Sequence, residues 1–140
     1  MMTEDIEELY KKFRLNHYRS LFGRIRERDG SLSATEAYAV DVIHLLGKPT
    51  VTQLADTLGI SQPNATYKVN NLVAKGYVIK GTSEDDRREC RLQLGPKFYQ
   101  YFNESGRFIE DASEKLQKEF SREDLDTFTR ILQALTKAMD

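Results

Sequence analysis

The sequence predicts a mainly α-helical fold with one small β-hairpin, on three observations. Apolar residues recur at spacings of three and four along most of the 140 residues. That period gives way once, between residues 77 and 94, to short strand-like runs around a polar stretch. Helix-start signals, Ser or Thr followed three residues later by Glu or Gln, stand before two of the helical runs.

Each element follows from its residues in turn. Ile6, Leu9, Tyr10, Phe13, His17, Leu21 and Ile25 line one side of a helix over residues 3–28, which Asp29, Gly30 and Ser31 interrupt. Ser33 with Glu36 opens a second helix, whose face Ala37, Val40, Ile43 and Leu46 ends at Gly47-Lys48-Pro49. Thr50 with Gln53 opens a short third helix bearing Val51, Leu54, Ala55 and Leu58, and Gly59 supplies the exit. Ser61 caps the fourth, where Pro63 is tolerated in the first turn and Ala65, Val69, Leu72 and Val73 form the inner face.

Tyr77 to Lys80 and Arg91 to Leu94 read as paired strands, and the wholly polar residues 81–89 form the hairpin tip. After Gly95-Pro96 the helical period returns with Phe98, Phe102, Ile109, Ala112 and Leu116. Ser121 caps a last helix in which Leu125, Phe128, Leu132, Leu135 and Met139 make a narrow apolar seam suited to a partner helix.

Composition narrows the function. Only 39% of the residues are hydrophobic and 31% are charged, a balance that favours a core completed against a second copy. Cys90 is the single cysteine, which excludes an intrachain disulfide framework and a cysteine-rich zinc site. No apolar run approaches a membrane span, and the acidic start does not read as a signal peptide, so a cytoplasmic address is expected.

The net charge of −1 conceals an uneven distribution. Residues 48–97 carry eight basic and five acidic side chains, whereas both flanking segments carry an acidic excess. A basic surface in the middle third can contact phosphates while the flanks repel them. Ordinary scatter of surface charge explains the same sums, and position must decide between them.

Position favours nucleic acid. The short helix, tight turn and following helix over residues 50–75 form a helix-turn-helix pattern, with the hairpin at 77–94 as a wing. A helix packed by one face presents the other to a major groove about 12 Å wide. Here that face holds Gln62, Asn64, Tyr67, Lys68 and Asn71. Amides of Gln and Asn pair with adenine N6 and N7, Lys68 reaches guanine or a phosphate, and Tyr67 stacks or donates to a phosphate. In the tip, Asp86 can orient one of Arg87 and Arg88, with Arg88 the candidate for the narrow minor groove.

Residues 32–97 resemble the winged helix-turn-helix of the MarR family of bacterial transcription regulators. The resemblance is carried by Leu32-Ser33 with Glu36, Thr50-Val51-Thr52-Gln53-Leu54-Ala55, Leu58-Gly59-Ile60-Ser61-Gln62-Pro63-Asn64, Lys75-Gly76-Tyr77-Val78 and Asp85-Asp86-Arg87-Arg88, in that order. With the flanking helices it covers the whole chain. It implies a homodimer built from residues 1–31 and 97–140, with the DNA-binding domain at residues 32–96. It also implies binding of double-stranded DNA at a palindromic operator and, as in most members, repression relieved by a small molecule. Carried over by position, Ser61, Gln62, Asn64, Tyr67, Lys68 and Asn71 are recognition-helix contacts, and Arg87 and Arg88 are wing contacts. Tyr67 and Asn71 stand where many members have arginine, a departure that bears on operator sequence rather than on DNA binding.

The family's effector crevice lies where the first and second helices meet the end of the dimerisation helices. That location makes Phe13, His17, Tyr38 and His44 the candidate effector contacts here. His17 and His44 are the only histidines, too few for a metal site without carboxylates, so neither metal nor cofactor is expected. Cys90 shares strand parity with Leu92 and Leu94 and is expected to face the core rather than to sense oxidants. No phosphate loop, nucleophile elbow or metalloprotease histidine pair is present, so enzymatic activity is not expected. The alternative is a winged helix that serves protein–protein contact without operator binding. An alternative form of the regulator has no ligand at all, with occupancy following concentration.

Overall fold

The computed structural model describes residues 1–24, 32–82, 90–105 and 107–140. Ile25, the break at Asp29–Ser31, and the wing-tip candidates Asp86, Arg87 and Arg88 lie outside the described residues. Among the described residues the chain forms seven helices and two strands: α1 (Met2–Arg24), α2 (Ala34–Leu46), α3 (Val51–Leu58), α4 (Gln62–Ala74), β1 (Val78–Thr82), β2 (Cys90–Leu94), α5 (Pro96–Ser105), α6 (Arg107–Glu119) and α7 (Arg122–Ala138). They fall into two compact units, Met1–Ser105 and Gly106–Asp140. None of these helices is long and apolar enough to cross a membrane.

Local chemistry accounts for where the helices of the first unit start. Both capping boxes are closed. The Ser33 amide donates to Glu36 Oε1 at 3.0 Å while its hydroxyl accepts from the Glu36 amide, and Thr50 exchanges the same pair of bonds with Gln53. Ser61 Oγ accepts from the Asn64 amide, with Pro63 in the first turn of α4. Between α3 and α4, Gly59 takes φ +69°, a left-handed conformation that lets the chain turn sharply. The Ile60 amide then closes the turn on Ala55 O at 3.1 Å.

The core sits where α2, α3 and α4 meet the inner face of the hairpin. Val40, Ile43, Leu54, Leu72 and Leu92 are fully buried there, joined by Val69, Val78 and Phe98. Two residues assigned to inner faces from periodicity lie outside it. Leu46 is exposed because Gly47 ends α2 before it is covered, and Val73 is exposed because the buried row of α4 runs through Ala65, Val69 and Leu72.

The hairpin starts at Val78 rather than Tyr77 and runs further towards its tip than the apolar runs indicate. β1 and β2 pair antiparallel with Val78 opposite Leu94, Lys80 opposite Leu92 and Thr82 opposite Cys90. Gly81 and Thr82, assigned to the tip, belong to the strand because ladder bonds need backbone groups and not apolar side chains. The backbone around Thr50 adds a further rung: it bridges Arg91, and the Leu92 amide donates to Pro49 O at 2.8 Å. Cys90 is half-buried at the outer end of its row, whereas Leu92 is fully buried.

Gly95 marks a close backbone approach. A Cβ there would stand 2.4 Å from Gly76 O, inside any normal contact, and the Gly95 amide donates to Tyr77 O at 2.7 Å. The end of β2 is thereby pinned to the exit of α4.

The second unit is a helical pair, α6 followed by α7, with the Ser121 hydroxyl accepting from the Asp124 amide at the start of α7. Neither helix buries a residue fully. Leu116, Phe120, Leu125 and Phe128, with Asp124, line an open cleft of about 280 Å³ between them.

Candidate nucleic-acid interface

α4 is held by its inner row and by both ends. Its N-terminus is capped by Ser61, and its exit is tied to α2 through Lys75, whose ammonium donates to Glu36 Oε1 at 2.9 Å. Glu36 is buried within the first turn of α2. Burial pushes its carboxyl up, but the Lys75 ammonium and the Ser33 amide and hydroxyl outweigh this and hold it below the usual carboxylate range.

The remaining face of α4 is polar. Gln62, Asn64 and Tyr67 are exposed, Tyr67 to 67%, and Lys68 and Asn71 are half-buried beside them. Ser61 is exposed too, though its oxygen already serves the Asn64 amide. α4 contains no carboxylate along Gln62–Ala74, so an approaching phosphate meets donors and no like charge. At the junction with the hairpin, Lys80 Nζ donates to Asn70 Oδ1 at 2.6 Å. Sequence reasoning passed over Asn70 and Lys80, since a bond between a helix and a strand ten residues apart leaves no periodic signal.

The four candidate effector contacts separate into two environments. His17 Nε2 on α1 stands 3.4 Å from Asp41 Oδ2 on α2, with its ring against Tyr18. Phe13 and Tyr38 are part-exposed at 40% and 44%. His44 instead packs its ring against the buried Phe98 of α5, with centroids 5.1 Å apart. Asp41, which the apolar periodicity of α2 could not single out, is the carboxylate that joins α1 to α2.

Comparison with known proteins agrees with this architecture. A family model described as the MarR family matches residues 31–89. An uncharacterized HTH-type transcriptional regulator of Bacillus subtilis (strain 168), YpoP, is 30% identical over 107 residues, spanning 74% of this chain and 73% of that protein. FabT of Streptococcus pneumoniae, solved in complex with DNA, superposes with a TM-score of 0.58 at 25% identity, covering 99% of this chain and 97% of that one. The regulator Tm0710 of Thermotoga maritima shares the fold at a TM-score of 0.62 and 19% identity, covering 99% and 93%. A capped helix-turn-helix, a hairpin packed against its second helix and a carboxylate-free outer face on that helix are therefore the parts of a DNA-binding transcription regulator, and the chain belongs to the MarR family.

Proposed function

We propose that the protein is a cytoplasmic homodimeric repressor that binds a palindromic operator and is released from it by a small molecule. The observation that carries the reading is the outer face of α4, exposed at Gln62, Asn64 and Tyr67, rich in amides and free of carboxylate. Ser61, Gln62, Asn64, Tyr67, Lys68 and Asn71 would face base edges and phosphates of one major-groove segment. Arg87 and Arg88 would add wing contacts, with Asp86 orienting one of them and Arg88 entering the minor groove.

Support for the dimer comes from the helical pair. Ile109, Phe128 and Ile131 are exposed on α6 and α7, and Met139 just beyond α7, while neither helix buries a residue fully. Covering these side chains with a second copy removes apolar surface from water at about 25 cal/mol per Å². Residues 1–31 and 97–140 would form that dimer and residues 32–96 the DNA-binding domain, two copies setting two recognition helices roughly 34 Å apart.

Support for an effector is the junction of α1 and α2. Phe13 stands one helical turn before His17 on α1 and Tyr38 three residues before Asp41 on α2, both part-exposed. A ligand that favours one spacing of the recognition helices would shift operator affinity by its difference in affinity for the two states. His44, committed to Phe98, would act from behind this junction.

The test is binding to a labelled duplex from the DNA upstream of the protein's own gene, titrated with salt and scrambled competitor. Operator recognition predicts competitor-resistant binding with a log–log salt slope of about 0.9 per phosphate contact. Binding that is equal on scrambled DNA, with α4 protected by a protein partner, would instead favour the protein–protein module.

A further inference from the structure

Lys80 occupies an unusual position. Along β1, Val78 and Lys80 share the face that packs towards the core, because their ladder partners are Leu94 and Leu92. Val78 and Leu92 in that row are buried, yet the row continues with a lysine whose side chain is exposed. Its stem leaves the core edge and its ammonium emerges between the hairpin and α4. There it donates to Asn70 Oδ1 at 2.6 Å. The partner is a neutral amide, so the bond directs the ammonium without cancelling its charge.

The surroundings favour an anion. Neither α4 nor β1 carries a carboxylate, and Asn70 is exposed on α4 one turn beyond Tyr67. A helix seated in the major groove and a hairpin beside it necessarily have one phosphodiester strand running between them, since that strand is the wall separating the two grooves. We infer that Asn70 and Lys80 form a seat for one phosphate of this strand, clamping DNA at the junction of recognition helix and wing. The inference rests on the reading of α4 as a major-groove helix. Asn70 orients the lysine and offers its own amide N–H to a second phosphate oxygen, while Lys80 supplies the charge. The seat reads no base, so it sets register and affinity and leaves sequence preference to the rest of α4.

The experiment compares the full-length wild type with Lys80→Gln, Lys80→Arg and Asn70→Asp, each first checked for an unchanged melting temperature. Binding is measured on the upstream duplex, on single-base variants of it and on scrambled DNA across a salt series. Lys80→Gln is expected to weaken binding roughly tenfold, by the same factor on every duplex. Its salt slope should fall by about 0.9 per protomer. Lys80→Arg should restore both quantities. Asn70→Asp keeps the lysine but neutralises it, and should reproduce the Lys80→Gln loss.

Wild-type affinity and slope in Lys80→Gln would overturn the seat while leaving operator recognition standing. So would a loss confined to particular base pairs at an unchanged slope. Wild-type binding that is equal on upstream and scrambled duplexes would remove operator recognition for that duplex, and the slope difference on scrambled DNA would still decide the seat. A wild type with no salt-dependent DNA binding would overturn both.

Discussion

Lys75, at the exit of α4, donates its ammonium to Glu36 Oε1 in the first turn of α2, 39 residues earlier in the chain. One carboxylate oxygen thus serves as the acceptor for the Ser33 amide and as the anchor of α4. The second oxygen is buried without a partner among the described residues, so the carboxylate depends heavily on Lys75 for its charge balance.

Removing one member of this pair should therefore cost stability. Lys75→Met leaves a buried carboxylate uncompensated and is expected to lower unfolding free energy by about 2–3 kcal/mol, below the full loss for a completely buried pair because Lys75 keeps some surface in water. Glu36→Gln retains an acceptor for the Ser33 amide and should cost less, about 1 kcal/mol. Urea unfolding of the two variants at neutral pH measures the difference.

The same pair predicts the direction of pH dependence. The folded Glu36 carboxyl is held below its ordinary value, so on acidification the unfolded chain takes up this proton first. Its contribution to stability is fully present above the unfolded carboxylate value of about 4.3 and is lost as pH falls through the lower folded value. Glu36→Gln should remove this part of the acid limb. A pH series of unfolding midpoints for wild type and variant would show the two curves converging at low pH.

Ser61 is expected to contribute to folding as well as to any DNA contact. Its oxygen accepts from the Asn64 amide at the start of α4, and Ser61→Ala should cost about 1 kcal/mol of stability. Asn64→Ala leaves the backbone cap intact. It is expected to cost about 1–3 kcal/mol of operator affinity and to relax preference at a single base pair. Paired melting and binding measurements separate the two effects.

Gly95→Ala should destabilise the hairpin's attachment. The added methyl would meet Gly76 O at 2.4 Å, backbone that cannot rotate away, and an overpacking cost of about 1–3 kcal/mol follows. Hydrogen exchange should show the Gly95 amide, bonded to Tyr77 O, losing protection.

In the proposed dimer, charging the outer apolar surface of the α6–α7 pair should abolish self-association. Ile131 is 58% exposed within the chain, so Ile131→Glu leaves the single chain's own core untouched. Sedimentation should show a shift from dimer to monomer, and operator affinity should fall with it, because one recognition helix then binds without its twin.

Much of the DNA-binding unit was legible in the chain itself. Ser33 with Glu36, Thr50 with Gln53, and Ser61 ahead of Pro63 act over three residues, so their caps form from local chemistry alone. The inner row Ala65, Val69 and Leu72 followed from helical period, and the turn at Gly59 from its freedom to take positive φ. These are short-range constraints, and the sequence by itself determined them.

Only tertiary structure decided what joins distant segments. The tie from Lys75 to Glu36, the bond from Lys80 to Asn70, the His17–Asp41 contact and the rung that Thr50 adds to β2 link residues on different elements, which periodicity does not register. Glu36 illustrates the division. Its spacing from Ser33 announces a capping box, and the Ser33 bonds lower its carboxyl locally, yet its burial and the Lys75 ammonium beside it come from the tertiary fold. Local bonds are written in adjacent residues; a charge's environment is set by whatever the fold brings beside it.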